Sequence, residues 1–177
     1  MHSRTGSQFG QRFTFGRSRK LAETVQRTEI YRHGGNDTSG SEKMIGVIDT
    51  SALIRLFIPD GPIPEGFEKF FRGVERGNNM AIAPELLLME SANVLDRKRK
   101  MDEISETESV QLLTDVLSMP IRYFSHGPLI PAAFDLAFEH GLTLYDAVYL
   151  ALASQQSAIL FSADKDMQKI ADKIHVK

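Results

Sequence analysis

The sequence predicts a three-layer α/β/α protein with a mostly parallel central sheet flanked by helices. Two observations carry that prediction. From Met44 onward short apolar runs alternate with helix-length amphipathic segments, the pattern of strands joined by helical crossovers. At 177 residues and 42% hydrophobic content, the chain also has enough apolar material to cover both faces of one sheet.

Ile45 to Ile48 is an apolar run of strand length, and a short helix is expected from Ser51 to Phe57. Phe67, Phe70, Phe71 and Val74 recur at helical spacing, and Met80 to Ala83 reads as the second strand. Pro84 suits the first turn of a long helix that reaches about Lys100, because a first-turn residue needs no N–H partner. Ser105 to Leu117 is a further helix and Ile121 to Phe124 the third strand. Helices near Ile130 to Glu139 and Leu144 to Gln155 precede a fourth strand, Ala158 to Phe161. Asp164 to Lys173 is the final helix, before a short edge strand at Ile174, His175 and Val176.

Residues 1–43 are different in kind. They are rich in Ser, Thr, Gly, Gln and Arg and lack apolar periodicity, so they are expected to be a disordered leader. A strand that opens directly after Met44 marks that residue as the natural start of the domain; a functional basic arm and a transit peptide are the alternatives. The net charge of −2 hides an asymmetry. The leader carries eight Lys/Arg against four Asp/Glu, whereas the remainder carries thirteen against nineteen. A negative body that handles a polyanion must place its positive charge locally. With no cysteine, disulfides, thiolate nucleophiles and Cys-ligated zinc are excluded. No apolar run approaches the roughly 20 residues of a membrane span, so a cytoplasmic protein is expected.

Four carboxylates stand where chemistry is expected. Asp49 follows the first strand, at the carboxyl end where ligand crevices of open α/β sheets form, although Asp is also a good helix N-cap. Glu90 has Leu86, Leu87, Val94 and Leu95 as its helical neighbours, which sets it against an apolar face, whereas the dipole at the helix start accounts for Glu85. Asp146 is the sole charge in an apolar stretch, Leu142 to Ala153, and could also belong to a capping box with Thr143. Asp164 lies at another strand-to-helix junction, with Asp166 as its reserve and a plain capping role as its alternative. Two carboxylates about 4 Å apart repel by roughly 4 kcal/mol at an effective dielectric near 20, so four together call for a cation. Oxygen donors without Cys or His favour Mg²⁺ or Mn²⁺.

Four strings in this order resemble the PIN domain, specifically the toxin ribonucleases of VapBC toxin-antitoxin modules. They are Val47-Ile48-Asp49-Thr50-Ser51-Ala52-Leu53-Ile54, Ala83-Pro84-Glu85-Leu86 running on to Glu90, Asn93 and Val94-Leu95, then Leu144 to Ala153, and finally Ser162-Ala163-Asp164-Lys165-Asp166. The resemblance covers nearly all of residues 44–177. It implies that Asp49, Glu90, Asp146 and Asp164 form the acidic metal-binding set, with Ser51, Ser162, Asn93 and Asp166 supporting it. The family often has Thr where Ser162 stands, and the hydroxyl is kept.

The implied reaction is hydrolysis of RNA, leaving a 5′-phosphate and a 3′-hydroxyl. Asp49 and Asp146 would contact the metal most directly, Glu90 would orient or deprotonate the water, and Asp164 would complete the site or bind a second ion. Arg97, Lys98, Arg99 and Lys165 are candidates for RNA contact, though cations near a helix C-terminus also serve its dipole. The resemblance further implies a cognate antitoxin and a homodimer. A catalytically silent module that binds RNA or protein is the rival reading, and the intact acidic set argues against it. A phosphatase would want a second Asp where Ser51 stands, and a signalling receiver would want an adjacent acidic pair near the first strand.

Overall fold

The first strand, β1 (Ile45–Ile48), is buried from Gly46 onward, because an apolar run with no polar alternation is stable only when both of its faces are covered. In the computed structural model, which describes residues 43–176, β1 pairs with β2 (Met80–Pro84) on one side and β4 (Ile159–Phe161) on the other. The remaining strand, β3 (Ile121–Phe124), pairs with β2, and the order is β3-β2-β1-β4 with every pairing parallel.

Helices make the crossovers. They are α1 (Thr50–Phe57), α2 (Phe67–Glu75), α3 (Leu86–Lys100), α4 (Glu106–Leu117), α5 (Ile130–His140), α6 (Leu144–Gln155) and α7 (Lys165–Lys173). Helix α6 is buried along Ala147 to Ala153 and packs on β1, β2 and β4; α5 covers it in turn. Helix α2 presents Phe67, Phe70 and Phe71 to the core, where the Phe70 and Phe161 rings lie 4.7 Å apart. Gly46 is required beneath them, since a Cβ there would stand 2.5 Å from Phe70 and 2.8 Å from Phe161.

The chain runs outward through β1, β2 and β3 and then returns to lay β4 on the far side of β1. The strand order therefore reverses between β1 and β4, the point at which open parallel sheets form a crevice at the carboxyl ends of their strands.

Two expectations need correction. Pro84 is the last residue of β2, in register with Phe124, rather than a first-turn helix residue, and α3 begins two residues later at Leu86. The stretch 174–176 is not an edge strand. The N–H groups of Ile174, His175 and Val176 turn back to carbonyls of Ile170, Asp172 and Ala171, and His175 adopts a left-handed φ of 60°. Donors spent on closing α7 are not available to a sheet. The expected leader, residues 1–43, lies outside the described residues except for Lys43. Among the described residues no helix is long and apolar enough to cross a membrane.

Candidate metal centre

Asp49 ends β1 and still belongs to its ladder, because its N–H donates to the Phe161 carbonyl at 3.0 Å. Its side chain occupies the N-cap position of α1 yet makes no side-chain cap hydrogen bond. The carboxylate instead accepts from Ser51 Oγ and from Ser162 Oγ, the latter at 2.8 Å. Capping is therefore not what holds it there. With Asp49 only 6% exposed, burial pushes its carboxyl pKa up; the two serine hydroxyls pull it back, and the negative charge of Glu90 adds to the rise.

Ser162, fully buried after β4, ties the two strand ends together. It donates to Asp49, accepts from the Asp164 N–H at 3.0 Å, and its carbonyl accepts from Gln168. Ser51 accepts from the Ala163 N–H at 2.8 Å, so both predicted supporting serines stitch β1 to β4.

Glu90 is half-buried, less enclosed than its apolar neighbours imply. The reason is that α3 is not sunk in the core: Met89 beside it is 65% exposed, and Leu86, Leu88 and Val94 are only partly covered. Glu90 Oε2 accepts from Thr50 Oγ1 at 2.8 Å and from Tyr149 OH at 2.5 Å. Asp146 is half-buried in the first turn of α6. Its N–H donates to Thr143 Oγ1 at 3.1 Å, and that hydroxyl donates back to Asp146 Oδ2 at 2.7 Å. The burial expected from its apolar surroundings is thus partial, because the apolar residues that follow turn inward while the first turn opens to solvent. Asp164 is exposed and caps α7, with Oδ1 accepting from the N–H groups of Asp166 and Met167.

All four acids line one cavity of about 390 Å³, together with Thr50, Ser51, Arg55, Asp60, Asn93 and Arg97. Asp166 does not line it; it is exposed and paired with Lys169 at 2.9 Å. Among the described residues, none of the four acids makes an ion pair with Lys, Arg or His, and no three acidic or imidazole groups stand close enough to grip one ion by themselves. The oxygen donor set suits a hard divalent cation that keeps several waters and uses one or two carboxylates at a time. Uncompensated carboxylates around one water-accessible cavity supply the charge such an ion would balance.

The basic candidates divide. Arg97 lines the cavity. Lys98 does not reach it: 6% exposed, it bonds Glu103 at 2.7 Å and Asp60 at 3.0 Å, and these partners raise its pKa. Arg99 pairs with Asp96 at 2.8 Å, and Lys165 is exposed away from the cavity lining. Sequence reasoning missed Thr50 and Tyr149 as partners of Glu90, and Arg55 on the rim. The available signal for Tyr149 is its place three residues after Asp146 on one helix, which puts the two on a shared face.

Comparison with known proteins shows the family. The family model described as PIN domain matches residues 46–173. Ribonuclease VapC3 of Pyrobaculum aerophilum is 28% identical over 123 residues, spanning 68% of this chain and 90% of that protein. The crystal structure of PAE2754 from Pyrobaculum aerophilum shares the fold at a TM-score of 0.53 and 20% identity, covering 77% of this chain and 100% of that one.

Proposed function

Since the chain belongs to the PIN domain family, we propose that it is a Mg²⁺- or Mn²⁺-dependent endoribonuclease whose acidic site is Asp49, Glu90, Asp146 and Asp164. The observation that carries this reading is the convergence of four carboxylates, none with a cationic side-chain partner among the described residues, on one cavity at the carboxyl edge of the sheet. The similarity to a protein named a ribonuclease supports it.

A divalent ion bound there would supply an acidified water and neutralise charge that builds on phosphoryl oxygens. The chain's own residues divide the remaining work. Asp49 and Asp146, from the end of β1 and the start of α6, would hold the ion; Ser51 and Ser162 fix Asp49, and Thr143 fixes Asp146. Glu90, also a member of the metal-binding set, would orient the attacking water or take its proton. Asp164 keeps Oδ2 for the cavity while Oδ1 caps α7. Arg97 and Arg55 on the rim lie where flanking phosphates of an RNA strand would pass.

The same resemblance supports a toxin role in the cytoplasm, with a cognate antitoxin protein as partner. A homodimer is supported by the apolar stripe that α5 exposes, where Phe134 is 64% and Phe138 89% exposed. The catalytic unit is residues 44–177.

The test is cleavage of a mixed RNA pool by the full chain and by residues 44–177, with Mg²⁺, with Mn²⁺ and with EDTA, beside Asp49→Asn. Cleavage is expected with either metal and is expected to disappear in EDTA and in the variant. Activity that survives both EDTA and the substitution overturns the metal-nuclease reading.

A further inference from the structure

The hydroxyls on Glu90 come from two different elements. Thr50, buried in the first turn of α1, and Tyr149, 1% exposed on α6, both reach Oε2, and their oxygens are 3.0 Å from each other. Two hydroxyl protons serve three close contacts. With Glu90 as a carboxylate, both protons are directed at Oε2, and among the described residues no hydrogen bond engages Oε1.

We propose that Thr50 and Tyr149 are positioning residues that clamp Oε2 of Glu90 and so reserve Oε1 for the cavity. The inference rests on the metal-nuclease reading above. A glutamate on a half-exposed helix face has three side-chain torsions to fix, and one weak partner leaves most of that freedom in place. Two donors from separate elements, converging on one oxygen, remove it. A purely structural purpose does not account for the arrangement, because α6 is apolar from Ala147 to Ala153 and a phenylalanine would fill the same space as Tyr149. Thr50 also makes the two halves of the site one unit. Its neighbour Asp49 is held by Ser51 and Ser162 while Thr50 itself holds Glu90, so the junction of β1 and α1 sets both acids.

The experiment compares the full-length protein with Tyr149→Phe, Thr50→Val and Thr50→Ser. Mn²⁺ affinity is measured by calorimetric titration without RNA, kcat and KM are measured on RNA, and melting temperature is followed as a check on folding. Partners that orient metal ligands typically contribute 10–100-fold to affinity or activity, so Tyr149→Phe and Thr50→Val are each expected to weaken Mn²⁺ binding by about tenfold. A similar fall in kcat with KM nearly unchanged is expected, whereas Thr50→Ser, which keeps the hydroxyl, should stay close to the parent in both readouts. Tyr149→Phe and Thr50→Val proteins that bind Mn²⁺ like the parent overturn the clamp. Should Tyr149→Phe fail to fold, the contrast between Thr50→Val and Thr50→Ser decides. A parent protein that binds Mn²⁺ but cleaves no RNA overturns the nuclease reading alone, and the affinities still judge the clamp; a parent that binds no Mn²⁺ overturns both.

Discussion

Asp49 stands at a cost to the fold. Burial raises its carboxyl pKa above the ordinary 3.8, so the folded chain keeps that proton to higher pH than the unfolded chain does. Stability on this account is greatest below 3.8 and declines as pH rises through the folded pKa, where a charge must be held in a buried place. Asp49→Asn removes the charge and keeps an oxygen that accepts from Ser51 and Ser162. In EDTA at neutral pH the variant is therefore expected to melt at a higher temperature than the parent. Adding Mn²⁺ should raise the parent's melting temperature and leave the variant's unmoved. A variant that melts below the parent in EDTA would contradict the burial argument. The positions of Asp49 and Glu90 were readable because a charge beside an apolar run is conspicuous. Tyr149 was not, since a tyrosine in an apolar helix reads as core, and its partner Glu90 is 59 residues away.

Helix α3 shows how neighbouring charges on one element part company. Arg97 lines the cavity, while Lys98, one residue on, is outside the lining and is held by Asp60 and Glu103. The successive offset of about 100° around a helix is enough to separate them. Arg97→Glu is expected to weaken RNA binding and reduce its salt dependence by about one unit of log–log slope. Lys98→Met should leave that slope unchanged and lower stability by about 1 kcal/mol, because its two partners stay solvated after it is lost. Filter binding at several salt concentrations, beside thermal melts, distinguishes the two. Periodicity located α3 but not its surroundings, so the run Arg97-Lys98-Arg99-Lys100 looked like one basic cluster. Three of its four members in fact serve Asp60, Asp96 and Glu103. Element boundaries failed where backbone bonding decided them: the end of β2 is set by pairing with β3, and the segment after α7 by hydrogen bonds that close the helix.

Across the whole molecule, the parallel sheet and the order of its helices were legible because strands covered on both faces appear as unbroken apolar runs. The strand order was not legible, and it is the order that brings β4 beside β1 and opens the crevice. The exposed face of α5 was equally hidden, since Phe134 and Phe138 look like core residues until the sheet is seen to be covered without them. If the proposed homodimer uses this face, Phe138→Asp lowers the mass seen in light scattering from that of a dimer to that of a monomer, with helical content preserved. A parent of monomeric mass, or a variant of unchanged mass, would overturn α5 as a dimer face.

The stitch between Ser162 and Asp49 spans 113 residues of sequence, and the bond from Ala163 to Ser51 spans 112. During synthesis a ribosome therefore makes Asp49 more than a hundred residues before Ser162, the hydroxyl from β4's end that completes its setting. Until residue 164 has been added, the growing chain lacks one of its acids and the serine that holds another. The acidic site of the proposed nuclease is therefore completed last, by the segment that follows β4.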